Sequence, residues 1–307
     1  MDSRTTRRTA ARTRPPLPQR LLLVALVGIL ATLVVPATGA SASGAIPLSS
    51  VTSMTTGGAA GDVERLWADH CMGYEATTVP ARCVYGDTTS STTIALVGDS
   101  HLSHLFPGIN RAAKANGWRL VVFVKVSCPF IDMRVRNLSL GREYTECATW
   151  NKNVISRVAN LKPKLTLVAM SRFAIHPLSS TNNTNARKGA AIGREIAKLY
   201  GRVAVIVDSP DAGRNIPTCL AAHRADIRAC AISKTTAMAG SLGAIETIAT
   251  TASGDSLINI TSAFCSSWPC LPVRNRAIIF RDARHLTATF ARTLAPALAA
   301  KIKPLLP

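Results

Sequence analysis

The chain has 307 residues, of which 47% are hydrophobic and 17% charged. That composition suits one domain, or a domain with appendages, and supplies enough apolar side chain for a sizeable core. The formal net charge of +19 favours contact with anionic polymers or membrane surfaces. Aromatic residues make up only 5%, and no basic stripe alternates with them, which argues against a nucleic-acid partner.

The first 20 residues hold Arg4, Arg7, Arg8, Arg12, Arg14 and Arg20 against one acid, Asp2. The apolar run "LLLVALVGILATLVV" follows at 21–35, and then the small residues of "PATGASASGA". Residues 1–40 therefore read as an export signal or, if uncleaved, as an N-terminal anchor and the chain's membrane contact. Fifteen residues is short against the roughly 20 that a spanning helix needs. No Cys follows the run closely, which argues against a lipid anchor on Cys. Removing residues 1–40 takes away six Arg and one Asp and leaves +14. Residues 41–66, rich in Ser, Thr, Gly and Ala, read as a flexible linker, and residues 67–307 as the domain.

Within the domain the strands are expected at 93–98, 119–126, 165–170, 202–208, 256–260 and 277–281. Several are continuous β-branched runs, the pattern of strands buried on both faces. Helices are expected near 101–116, 147–160, 186–200, 233–252 and 286–302. This alternation implies an α/β fold, a three-layer α/β/α sandwich with a mostly parallel sheet. The eight cysteines, Cys71, Cys83, Cys128, Cys147, Cys219, Cys230, Cys265 and Cys270, lack the C-x-x-C knuckles of a metal site and suit disulfides in an oxidising compartment. Eight cysteines allow 105 connectivities, among which sequence alone does not choose. Their clustering favours the neighbour pairs Cys71–Cys83, Cys128–Cys147, Cys219–Cys230 and Cys265–Cys270, bridges that would mainly pin loops.

In "TIALVGDSHLSHLFPG", residues 93–108, Ser100 stands where a strand gives way to a helix. A helix-capping role and a nucleophilic role both call for Ser here. At the carboxyl end of a strand in an open α/β sheet it lies where ligands bind, and a helix N-terminus offers N–H groups to a developing oxyanion. A Ser hydroxyl needs a base, usually a His oriented by a carboxylate. His285, three residues after Asp282 in "FRDARHLT", meets that need if the last strand runs parallel to the first and opens on the same edge. Asp99 is expected to serve the turn. His101 and His104 form an H-x-x-H that, with Asp99, is a metal set in principle, but local polar contacts are the expected role and no metal or cofactor is read. Arg172 and Arg281 are placed to meet an anionic substrate. Sequons stand at Asn137, Asn182 and Asn259.

"ALVGDSH" after the first strand and "FRDARHLTATFARTLAPAL" at 280–298, with "VSCPF", "YTECATW" and "PTCLAAH" between them, resemble the SGNH (GDSL-type) serine hydrolases. The chain is most similar to the SGNH domain linked to membrane O-acyltransferases of the acyltransferase-3 family, which O-acylate cell-surface glycans. The resemblance covers roughly residues 68–302. It implies Ser100 as nucleophile, His285 as general base and Asp282 as the residue orienting it. The family's oxyanion Gly and Asn are missing: the chain reads "KVSCP" after the second strand and "AMSRFAIH" after the third. Ser127, Ser171 and Arg172 are the nearest residues, as oxyanion or substrate contacts. The implied activity is that of an exported esterase or O-acyltransferase on O-acyl groups, acetyl foremost, of cell-envelope glycans or acylated polysaccharides. No multi-span membrane portion is present in these 307 residues, so transfer calls for a separate membrane acyl donor. The alternative is a non-catalytic glycan-binding or scaffold module on the same fold.

Overall fold

The computed structural model describes residues 44–306. In chain order the strands are β1 (Met72–Gly73), β2 (Cys83–Gly86), β3 (Thr93–Gly98), β4 (Arg119–Lys125), β5 (Arg136–Asn137), β6 (Arg142–Glu143), β7 (Leu165–Ala169), β8 (Val203–Ile206), β9 (Ser256–Ile258), β10 (Val273–Arg274) and β11 (Ala277–Ile278). Seven of them build one sheet in the order β1–β4–β3–β7–β8–β9, with β2 also on the outer edge of β4. Every pairing in this sheet is parallel except that of β2 with β4. The helices are α1 (Leu48–Val51), α2 (Thr56–Ala60), α3 (Ser100–Asn116), α4 (Thr145–Leu161), α5 (Asn185–Ile196), α6 (Ile216–Ala222), α7 (Lys234–Ala237), α8 (Ala244–Ser253), α9 (Thr261–Phe264), α10 (Ala288–Thr293) and α11 (Ala295–Ile302).

Side chains alternate across a strand, and here both faces of the sheet are apolar. Ile94, Leu96, Leu120, Val122, Leu165 and Leu167 share one core with Leu102 and Phe106 of α3, Phe290 of α10 and Leu298 of α11. Ala95, Val97, Val121, Phe123, Val168 and Val205 share the other with Trp150 and Val154 of α4, Ile192 of α5 and Ile245 of α8. The result is the three-layer sandwich expected from the strand–helix alternation. The four neighbour cysteine pairs are bonded, Cys71–Cys83, Cys128–Cys147, Cys219–Cys230 and Cys265–Cys270, and each clips a loop to its neighbouring element.

Four expectations change, and the simplest is that the helix expected over 286–302 is two, α10 and α11, divided at Leu294. The apolar run at 277–281 is not a strand of the main sheet. Ala277–Ile278 pairs antiparallel with Val273–Arg274 across a turn in which Asn275 and Arg276 take positive φ, as tight hairpin turns require. Ala277, Ile278, Ile279 and Phe280 are apolar because they fill the core. The helix expected over 233–252 is two helices, separated at Gly240 and Gly243, both at positive φ. Finally, residues 44–66 are packed structure. Leu48, Ala59 and Leu66 are buried, and Leu48 N–H donates to the Arg224 carbonyl at 2.8 Å. Asp62 receives the N–H groups of Ala288 and Thr289 at the start of α10. The apolar run at 21–35 lies outside the described residues, among which no helix is long and apolar enough to cross a membrane.

Candidate active site

The sheet order places β3 between β4 and β7, so the chain leaves β3 on one side and later returns on the other. The carboxyl ends of β3 and β7 are thus the switch point at which open α/β sheets bind ligands. Gly98 ends β3 because a Cβ there would overlap the carbonyl of Ala169. That close approach lets Asp99 cap α3 and reach across to β7. Its carboxylate accepts from the N–H groups of His101 at 2.8 Å and Ser171 at 2.9 Å. Burial pushes the Asp99 carboxyl up, against these N–H groups and the His101 charge. The N-cap is therefore Asp99. Ser100 is the first helical residue, its hydroxyl free for other work.

The partner arrives by an unexpected route. A Cβ at Gly108 would clash with the Ala291 carbonyl, so α3 and α10 pack backbone to backbone. Just before α10 the chain forms a tight loop, closed by the Phe280–Leu286 bridge and by Arg281 N–H on the His285 carbonyl at 2.9 Å. That loop, not a parallel strand end, carries Asp282 and His285 over α3. His285 Nε2 lies 3.0 Å from Ser100 Oγ, and His285 Nδ1 lies 2.8 Å from Asp282 Oδ2. The second Asp282 oxygen accepts the N–H groups of Arg284 and His285, each at 2.7 Å. Partial burial pushes the Asp282 carboxyl up, but its hydrogen bonds from the His285 ring and the two N–H groups hold it well below the usual carboxylate range. Ser100, His285 and Asp282 thus stand in hydrogen-bonded series, with the spacing that lets a hydroxyl pass its proton to an imidazole.

Ser100 and His285 open on a cleft of about 180 Å³, also lined by His101, Ser127, Asn137, Leu138, Ser171, Phe173, His176 and Arg284. A larger cavity of about 380 Å³ lies beside β6 and α4, bounded by Asp132, Glu143 and Lys198. It holds none of Ser100, Asp282 and His285.

Of the three residues nearest the missing Gly and Asn, two line the cleft. Ser127 has φ +48°, the left-handed conformation in which a Gly would be at ease, so the backbone keeps a Gly-like turn under a different side chain. Ser171 lies on the cleft wall, its N–H spent on Asp99 and its Oγ accepting from Phe173 N–H at 3.3 Å. Arg172 does not face the cleft. It is buried, and its guanidinium binds the Asp208 carboxylate at 2.8 Å and the carbonyls of Ser209 and Ala239. It became a site candidate because it follows the third strand, and it is instead half of a buried ion pair. Arg281 lies 3.9 Å from Glu64, also turned into the protein. Asn137 is buried, which sets its sequon aside. His104 has both ring nitrogens buried without partners. Burial, and then its His neighbours, hold it well below the usual range, neutral.

Asp208 is the residue that sequence reading passed over. It is fully buried, and its carboxylate also takes the Nδ1 of His101 in a short contact and the N–H groups of Arg172 and Ser209. The available signal was a lone acid at the carboxyl end of an apolar strand, on the same sheet edge as Ser100.

The model of one family, the SGNH domain (fused to AT3 domains), matches residues 68–300. The chain belongs to this SGNH family. No curated protein matches the chain. Among solved structures, the periplasmic domain of a lipopolysaccharide acetyltransferase from Salmonella ser. Paratyphi A is similar at a TM-score of 0.52 and 17% identity. The match covers 71% of this chain and 86% of that one. An acetylxylan esterase from Geobacillus stearothermophilus, solved as a catalytic mutant, matches at a TM-score of 0.41 and 12% identity, over 70% of this chain and 96% of its own. At these identities the likeness concerns the fold. In this SGNH domain the Gly–Asp–Ser–His block and the Asp–Ala–Arg–His block meet in space, as the sequence pattern requires.

Proposed function

We propose that the protein is an exported SGNH-type serine esterase or O-acyltransferase that acts on O-acyl groups, acetyl foremost, of cell-envelope glycans. The single observation that carries this reading is Ser100 Oγ at 3.0 Å from His285 Nε2, with Asp282 at 2.8 Å behind the ring. Ser100 gives its proton to His285 as Oγ attacks the ester carbonyl carbon. The tetrahedral intermediate collapses to acyl-Ser100, and His285 returns the proton to the departing sugar oxygen. Water or a second sugar hydroxyl then attacks the acyl carbon, again losing its proton to His285, and Ser100 is restored. Asp282 keeps Nδ1–H pointed away from Ser100, so that the lone pair of Nε2 faces the hydroxyl. A cleft of about 180 Å³ is small beside sites for drug-sized ligands, which run from about 300 Å³ upward. It suits a short acyl group with the glycan lying outside. Export is supported by the basic and apolar pattern at 1–40 and by four disulfides, which persist in oxidising compartments. Transfer rather than hydrolysis would draw its acyl group from a separate membrane donor.

The lack of an Asn after β7 favours the second reading, a glycan-binding module that retains the fold. A fluorophosphonate probe separates the two. Wild type should be labelled and Ser100→Ala should not. Undiminished labelling of Ser100→Ala would remove Ser100 as nucleophile, and a folded wild type that takes no label would favour the binding module.

A further inference from the structure

His101, next to the nucleophile, has a geometry that the triad does not account for. Its Nδ1 is turned inward onto Asp208, and its ring also lines the cleft with Ser100, Ser127, Ser171 and His285. The ring packs edge-on against His285, centroids 5.3 Å apart. Nδ1 makes the ring's hydrogen bond. With Nδ1 engaged by Asp208, Nε2 is the polar edge that this cleft-lining ring has left to offer. Asp208 accepts from Nδ1 and cannot donate while ionised, so Nδ1 carries a proton. A proton on Nε2 as well makes the ring a fixed cation beside the point of attack.

The surroundings favour that second proton. Burial pushes the His101 ring down, but the Asp208 carboxylate, and after it Asp99, outweigh this and raise it above the ordinary His value, against the Arg172 charge. Burial likewise pushes Asp208 up, and His101 and Arg172 together hold it down, ionised. The other titratable groups packed here are His104 and His285 on the ring side and Glu246 of α8, which accepts Asp208 N–H. Burial pushes Glu246 up, towards its neutral form. The Asp208 carboxylate thus faces both His101 and Arg172, with the Asp99 carboxyl on the His101 backbone N–H.

We propose that His101, held by Asp208, presents Nε2–H to the cleft and stabilises the oxyanion of the tetrahedral intermediate in place of the Asn that this chain lacks. The proposal rests on the acyl-Ser100 reading above. As Oγ bonds to the acyl carbon, the carbonyl π pair moves onto oxygen and is met by Nε2–H. The pair returns to the carbonyl when the leaving oxygen departs, so His101 donates a hydrogen bond throughout and transfers no proton. Arg172 and Asp99 act through His101 and Asp208 as positioning residues.

The test compares wild type, Ser100→Ala, His101→Phe and His101→Gln of the full chain in p-nitrophenyl acetate hydrolysis. Phe keeps a ring and loses the donor, so kcat should fall about 100- to 1,000-fold with KM changed little, the loss typical of one oxyanion donor. Gln offers an amide N–H that does not titrate. It should retain part of the activity, and the alkaline decline expected of wild type as Nε2 loses its proton should vanish. A merely structural His101 would leave that limb in place. Retention of kcat within about threefold in His101→Phe, with Ser100→Ala inactive, overturns the His101 role and leaves the triad intact. Wild type no faster than Ser100→Ala overturns the acyl-Ser100 reading, and the inference with it. Should either variant fail to fold, ¹⁵N-resolved imidazole spectra of wild type decide. A His101 ring doubly protonated at pH 7 is expected, and a singly protonated one overturns the proposal.

Discussion

Two aspartate–histidine couples flank Ser100, and they are built from the same groups with opposite surroundings. In the Asp282–His285 couple the side chains are 37% and 29% exposed, and both sit on a five-residue loop. In the Asp208–His101 couple they are 0% and 5% exposed, and the partners come from different elements 107 residues apart. The exposed couple has Asp282 engaged by local N–H groups and a ring whose far nitrogen accepts from Ser100. The buried couple has an Arg, two backbone N–H groups and a second carboxylate around it. Burial and the count of neighbouring charges, not the residue types, set the two couples apart.

The contrast can be broken at either end. The largest effect is expected from Asp282→Asn. An amide at Asp282 would favour the wrong ring tautomer of His285, and kcat should fall about 10⁴-fold with the melting temperature little changed. A loss under tenfold in steady-state esterase assays would mean that Asp282 does not orient the base. Asp208→Asn should show the reverse balance, a stability effect first. It leaves Arg172 buried beside His101 without an ionised partner, a loss of about 3–5 kcal/mol when one member of a buried pair is removed. Urea unfolding at pH 7 measures it, and a change below about 1 kcal/mol would show that Asp208 is not the charge that holds this cluster. The smallest effect concerns acid. Because the folded Asp282 carboxyl is depressed, its contribution to stability is complete above the unfolded value near 3.9 and is lost as pH falls through the folded one. The gap in melting temperature between wild type and Asp282→Asn should therefore narrow steadily as pH falls from about 5 to about 2. Solvent screening keeps it small at this exposure. A gap that widens on acidification would reverse the sign assigned to Asp282.

The parallel sheet was legible because β3, β4, β7 and β8 are buried on both faces and read as unbroken apolar runs. The same rule misread 277–281, where burial under α10 produces an apolar run that pairs only within a hairpin. Ser100, Asp282 and His285 were legible as two short blocks, each pairing a functional residue with its own turn chemistry. Asp208 and the turning of Arg172 into the protein were not. Their meaning depends on a contact between the ends of β7 and β8, and nothing local to either residue marks it. The left-handed turn at Ser127 was hidden because Ser carries no backbone signature of the kind Gly does.

The packed segment before the sheet bears on how the two halves of the site are kept in register. Glu64 is buried, accepts from Trp67 Nε1 at 2.9 Å, takes the Ser103 hydroxyl one turn after Ser100, and faces Arg281 of the histidine loop. Two residues earlier, Asp62 receives the start of the helix that follows that loop. The stretch works as a buckle between the Ser100 helix and the His285 loop, two parts of the chain that no sheet pairing joins. A protease nick near residue 60 would spare every residue of the triad and still loosen the distance on which it depends.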